Sequence, residues 1–269
     1  MHTGLSQDQT TVDKCEDFLR CSPGSCKNRL MLAGHFAVAF IAKRIEPKIS
    51  LGTLVFAAML ADLLWCVFLI AGVESVGVKA GIVPGPSMRA LDVLEAREIG
   101  FSHSLLADLV WAVIFAGLYY LLRGNRRGAW ILLGAVVSHW VLDVASHPPD
   151  MPLAPAIPYR FGLGLWNSVP ATIFVEGLFW LIALAVYMRA SRDQGRFRTY
   201  LLWAGVVLIT VAWLGNITGP PPSEIASIGF SSLTFFSLSV VWAYWVDRLQ
   251  RSVSDRQGRS IPVRDILHE

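Results

Sequence analysis

Residues 128 to 147 read Gly-Ala-Trp-Ile-Leu-Leu-Gly-Ala-Val-Val-Ser-His-Trp-Val-Leu-Asp-Val-Ala-Ser-His. Helix rises about 1.5 Å per residue, so a stretch this long crosses the roughly 30 Å of hydrocarbon in a bilayer. Its first half is apolar on every face, which no surface helix of a soluble domain would be. Its second half carries His139, Asp143 and His147 at i, i+4 and i+8, one above the other on a single face. The stretch therefore predicts a membrane span with ionisable groups in its second half.

Five further stretches have the same length and character: about 50 to 73, 103 to 122, 169 to 188, 199 to 217 and 225 to 246. Residues 31 to 42, Met-Leu-Ala-Gly-His-Phe-Ala-Val-Ala-Phe-Ile-Ala, are apolar but stop early at Lys43 and Arg44. They predict a short span, or a helix sunk part-way from one surface. The expected fold is all-α, a multi-pass transmembrane bundle of about seven helices. Composition agrees: hydrophobic residues make up 54% and charged residues 16% of the chain, with a mean hydropathy of +0.50. A soluble domain carries about a quarter charged residues.

The 23 Lys and Arg fall in short clusters between the spans, so the net charge of +3 reports topology. There is no basic stripe interleaved with stacking aromatics, and no nucleic-acid partner is expected. Lys43, Arg44 and Lys48 precede the second span, and Arg123, Arg126 and Arg127 lie between the third and fourth. Arg189, Arg192, Arg196 and Arg198 lie between the fifth and sixth, and Arg248, Arg251, Arg256, Arg259 and Arg264 follow the seventh. All fall on one side, and the alternate loops are poor in net positive charge. The bias predicts a cytoplasmic C-terminus and an outside N-terminus. Residues 1 to 30 are polar and read as a disordered extension, with Met31 as an alternative start. Residues 31 to 247 form the membrane domain, and 248 to 269 a polar cytoplasmic tail, expected to fray. Cys15, Cys21, Cys26 and Cys66 form no CxxC pair, and no internal repeat is evident.

Depth brings the ionisable residues together. If the fourth span rises from the basic side, His139 lies past the midplane and His147 reaches the far surface. Asp62 lands at a similar height in the second span. His35 lies near the outer end of the first, His103 opens the third, and Glu176 sits about two turns into the fifth. A charge at mid-membrane costs at least roughly 2.5–3.5 kcal/mol, so Asp62, Asp143 and Glu176 require compensation. The candidate metal ligands are His35, Asp62, His103, His139, Asp143, His147 and Glu176. Imidazole and carboxylate donors suit zinc best, with manganese or iron as alternatives. Two other readings use the same residues: an ion or proton pathway through a transporter, and a structural polar cluster. Asp108 faces an unassigned side, and His2 and His268 lie in the tails.

Several of these residues stand in recognisable elements: Gly34-His35, Asp62, Ser102-His103-Ser104, and Ser138-His139-x-x-x-Asp143 with Ser146. Over about residues 31 to 246 the chain resembles the YdjM-like family of predicted inner-membrane metal-dependent hydrolases. It is most similar to a subgroup with Gly162-Leu163-Gly164-Leu165-Trp166-Asn167-Ser168 and a glutamate like Glu176. Better-known members have Pro-Asp-x-Asp where this chain has Leu60-Ala61-Asp62-Leu63, and Arg-Gly where it has Ile99-Gly100. The His-x-x-x-Asp element is also similar to the metal-bridging one of zinc-dependent phospholipase C enzymes. That likeness implies Asp143 as a bridging ligand, with His147 and Glu176 serving a second ion.

The resemblance implies an inner-membrane hydrolase. In the expected mechanism, a divalent ion held by Asp62, His103, His139 and Asp143 lowers the pKa of a water. The activated water attacks an ester, phosphoester or amide. His35 and His147 complete the coordination or position the scissile group, and Glu176 is a general base or second-site ligand. The expected substrate is a lipid or envelope precursor met from the outer leaflet. Residues 84 to 100 are expected as an ordinary loop helix, with an interfacial helix acting as a lid as the alternative, and 219 to 222 as a rigid turn.

Overall fold

The computed structural model describes residues 32–78, 81–83, 88, 93–189, 196–219 and 226–259. Its helices are α1 (Leu32–Ile45), α2 (Leu51–Ala58), α3 (Leu60–Ile70), α4 (Leu105–Arg123), α5 (Arg126–Ser146), α6 (Val169–Arg189), α7 (Arg196–Thr218) and α8 (Ala226–Arg259). The all-α bundle expected from hydropathy is the fold. Helices α4 to α8 are each long and apolar enough to cross a membrane. The extension at residues 1–30 lies outside the described residues. The stretch from 248 begins as a continuation of α8, and residues 260–269 are outside the description.

The second predicted span departs from one straight helix. It breaks at Met59 into α2 and α3, bent by 58°, and counts as a sixth crossing when the two halves are taken together. Helix α1 has only 14 residues and does not need to span. Ala33, Phe36, Ala37, Ala39 and Phe40 are fully buried, and α1 packs against α2, α5, α6 and α7. A helix enclosed by others can end inside the protein, because its neighbours rather than lipid meet its terminal groups.

Helices α4 and α5 pack as an antiparallel pair, and α8 lies along both halves of the broken helix. Apolar residues such as Leu121, Trp130, Phe174, Leu181, Tyr200, Val211 and Leu238 point outward. In a bilayer this exposed apolar surface meets acyl chains. Of the loop helix expected over 84 to 100, residues 84–87 and 89–92 lie outside the described residues, and the described Leu94–Glu98 is not helix but β2, paired antiparallel with β1 (Ser75–Val78). The register shifts between Ser75 and Val76. β-branched Val76 and Val78 favour extended pairing over one more helical turn. A second pair, β3 (Met151–Pro152) and β4 (Arg160–Phe161), follows α5.

Candidate metal centre

The break in the second span builds the site. Where α2 stops, its last carbonyls lose their helical continuation, and the carbonyl of Ala58 accepts a hydrogen bond from His139 Nδ1 at 2.8 Å. The new helix α3 starts with Asp62 in its first turn, where the positive end of the helix dipole favours a carboxylate. One interruption thus orients an imidazole and seats an acid.

Ser102-His103-Ser104 does two different jobs. Ser104 caps α4, its Oγ accepting from Ala107 N at 3.2 Å and donating to Gly100 O at 2.6 Å. Ser102 Oγ donates to Glu74 Oε2 at 2.6 Å and lies 2.7 Å from His103 Nδ1. A hydroxyl has one proton, already given to Glu74, so its oxygen accepts from His103 Nδ1–H. Glu74 also receives the backbone N–H groups of Phe101 and Ser102, both at 2.9 Å. This buried carboxylate fixes the turn and, through Ser102, the ring.

His147 repeats the pattern. Its Nδ1 donates to Asp150 Oδ1 at 2.9 Å, and its position is set by the loop at residues 162–168. Leu163 N–H reaches the Val144 carbonyl and Gly164 N–H the His147 carbonyl, each at 2.7 Å, closing the end of α5. A Cβ on Gly162 would lie 2.0 Å from the Pro148 carbonyl oxygen, and Gly164 has φ +71°, so both positions require glycine.

In His103, His139 and His147 the Nδ1 proton is committed to protein oxygen, leaving Nε2 for the interior. His139 Nε2 is 3.3 Å from Asp143 Oδ2 and 3.8 Å from Asp62 Oδ1. His103 Nε2 is 3.5 Å from Asp62 Oδ1 and 3.9 Å from Asp143 Oδ2. His147 Nε2 lies 4.0 Å from Asp143 Oδ1. His35 Nε2 donates to Asp143 Oδ1 at 3.1 Å, with its ring stacked on His139 at 3.7 Å and 5°. All five of His35, Asp62, His103, His139 and Asp143 are buried.

The ligand atoms of His35, His139 and Asp143 lie within 4.8 Å of one another, as do those of Asp62, His103 and His139. These groups can hold a metal ion. Among the described residues His35 Nδ1, His139 Nε2 and His147 Nε2 are buried without hydrogen-bond partners. Lone pairs of neutral imidazoles face the two carboxylates in two buried groups that share His139, an arrangement that repels itself unless a cation or protons lie between. Donor types and orphaned nitrogens therefore fit a divalent ion. Each of the three Nδ1-anchored rings also has the outer hydrogen bond that metal-ligating histidines use.

Glu176 stands apart from both groups. Fully buried, it accepts from Trp166 Nε1 at 3.3 Å and Trp213 Nε1 at 2.8 Å. Trp166 lies against His147, ring centres 4.0 Å apart, which connects Glu176 to the centre at one remove. The sequence did not single out Glu74 and Asp108 as buried acids, nor the half-buried Asp150 as the partner of His147. Asp108 is fully buried and accepts from Trp140 N at 3.2 Å; in the sequence it was one acid in an apolar run. In the sequence Glu74 is a single acid 28 residues before the Ser102 it bonds, with nothing local to tie it to that ring.

Fold and site together define an α-helical integral membrane protein with a buried histidine and aspartate cluster able to hold a metal. The match to the family model for the YdjM inner membrane protein covers residues 31–217, well over half the chain, and the chain belongs to this family. No curated protein and no solved structure matches it.

Proposed function

We propose that this protein is a membrane-embedded, metal-dependent hydrolase acting on an ester or phosphoester of a lipid or envelope precursor, approached from the outer leaflet. The observation that carries this reading is the pair of buried His and Asp groups that share His139, with the rings of His103 and His139 locked through Nδ1. Asp62, His103, His139 and Asp143, with His35 beside them, would hold the ion, and zinc fits the donors best, ahead of manganese or iron. When bound, such an ion supplies Lewis acidity, polarising a substrate oxygen and easing loss of a proton from water.

The chain's own groups supply the rest. His147 offers an unpartnered Nε2 at the edge of the cluster, placed to orient the scissile group. Glu176 holds Trp166 against His147 and so positions it. A cleft of about 710 Å³ between α6 and α7, lined by Phe174, Leu178, Leu181, Trp203 and Trp213, supports a lipid substrate. It suits an acyl chain, and its Trp213 wall is the residue that donates to Glu176.

The test is elemental analysis of the purified protein by mass spectrometry, alongside His139→Ala and Asp143→Ala, followed by a headgroup-release screen on lipid extracts. Stoichiometric metal lost in both variants, with metal-dependent release by the wild type, is the expected result. If no metal copurifies or rebinds, while ion or proton flux in proteoliposomes depends on Asp62 and Asp143, the protein is a transporter and the hydrolase reading fails.

A further inference from the structure

At the other end of the α4–α5 pair, the walls of a polar cavity of about 580 Å³ include Lys48, Ser50, Thr53, Arg123, Asp247 and Arg248. Its charge is unbalanced. Asp247 is already paired with buried Lys43 at 2.5 Å. Among the described residues no ion pair engages Lys48, Arg123 or Arg248. Ser50 and Thr53 hydroxyls share one hydrogen bond of 2.7 Å, which leaves one hydroxyl proton to donate.

Adjoining this cavity is an apolar groove of about 350 Å³ that shares Thr53 and Tyr244 with it and is lined otherwise by Gly52, Phe56, Phe115, Val240 and Val241. A surface that presents three cations and hydroxyls at the end of the spans, then an apolar channel along them, matches a molecule with an anionic head and a hydrocarbon tail. Free phosphate would use only the first half. Basic pockets between transmembrane helices bind anionic lipid headgroups by this chemistry.

We propose that α2, α4 and α8 form a binding site for one anionic phospholipid, its phosphate among Lys48, Arg123 and Arg248 and an acyl chain in the groove. The site lies at the opposite helix ends from the metal centre and does not depend on it. The full chain, delipidated in detergent, is titrated by native mass spectrometry with phosphatidylglycerol, phosphatidylcholine of the same chains, and inorganic phosphate as competitor.

One phosphatidylglycerol should bind in preference to phosphatidylcholine and resist displacement by phosphate. The triple variant Lys48→Gln, Arg123→Gln, Arg248→Gln should weaken it roughly a hundredfold at low salt, from about a fivefold effect per basic residue. Arg44→Gln, Arg189→Gln, Arg196→Gln removes equal charge from exposed residues outside the cavity and should leave binding unchanged. Val241→Trp, which fills the groove and spares the charges, should also weaken lipid binding. Equal loss in the two triple variants, equal binding of phosphatidylcholine, ready displacement by phosphate, or no effect of Val241→Trp would each overturn the proposal. Metal content, measured in the same samples, reports separately on the hydrolase reading.

Discussion

The two ends of the bundle bury charge in opposite ways. Near the start of α5, Lys43 donates to the carbonyls of Pro47 and Ile49 at 2.9 and 2.7 Å and pairs with Asp247. Close by, Arg198 reaches the Val246 carbonyl at 3.1 Å and the Tyr187 hydroxyl at 2.7 Å. Cations there meet anions and carbonyls. Near the end of α5 lone pairs face carboxylates, and buried ring nitrogens go without hydrogen bonds. At the first end the buried Lys43 cation is met by protein groups alone. The second gathers buried His and Asp groups that could hold a metal ion, and this difference is the physical reason to separate a structural polar pair from a candidate ligand site.

Asp143→Ala should break this contrast most severely. Asp143 is the group that faces all four histidines, within 4.0 Å of each, so its loss should abolish stoichiometric metal binding, as read by elemental analysis. The helix should survive, because alanine is a better helix former than aspartate. Retained metal with unfolded protein would reverse the assignment and make this end the structural one.

Lys43→Met tests the buried pair with Asp247. Removing one partner of a buried pair leaves the other charged and dry, at a cost of about 3–5 kcal/mol. Thermal unfolding in detergent should show a large loss of stability with metal stoichiometry retained. Adding Asp247→Leu should recover most of that loss, since replacing both members of a buried pair is often close to neutral. Failure of the double variant to recover would mean that Asp247 works through other contacts.

These contrasts bear on what the sequence discloses. The helices were legible because lipid imposes one simple requirement, a long apolar run, and six of the seven stretches meet it as single or bent spans. The break at Met59 was not legible. Nothing in Ala-Ala-Met-Leu-Ala marks a terminus, as a proline or glycine would, and the bend is stabilised by tertiary partners such as His139 on the Ala58 carbonyl. His139 and Asp143 could be read from helical spacing, and Asp62 from its depth. Glu74 could not: its partners are 27 and 28 residues away, across β1 and β2. A single sequence gives no pairing for that hairpin, which is also why a loop helix is the expectation there.

Ser102→Ala sharpens the comparison at the level of a single ring. Without the hydroxyl, His103 loses the acceptor that holds its Nδ1 proton, and Nε2 is no longer aimed at Asp62. Outer partners of metal-ligating histidines contribute about 10–100-fold in affinity. A competitive chelator titration should show a loss of that size, and Ser102→Thr should restore part of it. An unchanged affinity would mean that Glu74 and Ser102 only brace the turn.

Ser104→Ala should have the smallest effect and the opposite signature, although the residue is the other serine of the same element. Its hydroxyl touches no metal-site group; it caps α4 through Ala107 N and bonds back to Gly100. Losing an N-cap costs about 1 kcal/mol of helix stability, so the melting temperature should fall slightly while chelator-measured affinity stays within a factor of two or so, which is about 0.4 kcal/mol. The pair of alanine variants thus separates ring orientation from helix initiation within three consecutive residues. If Ser104→Ala weakened metal binding as much as Ser102→Ala, the position of α4 itself would set the geometry of His103, and the hydroxyl chain from Glu74 would lose its assigned role.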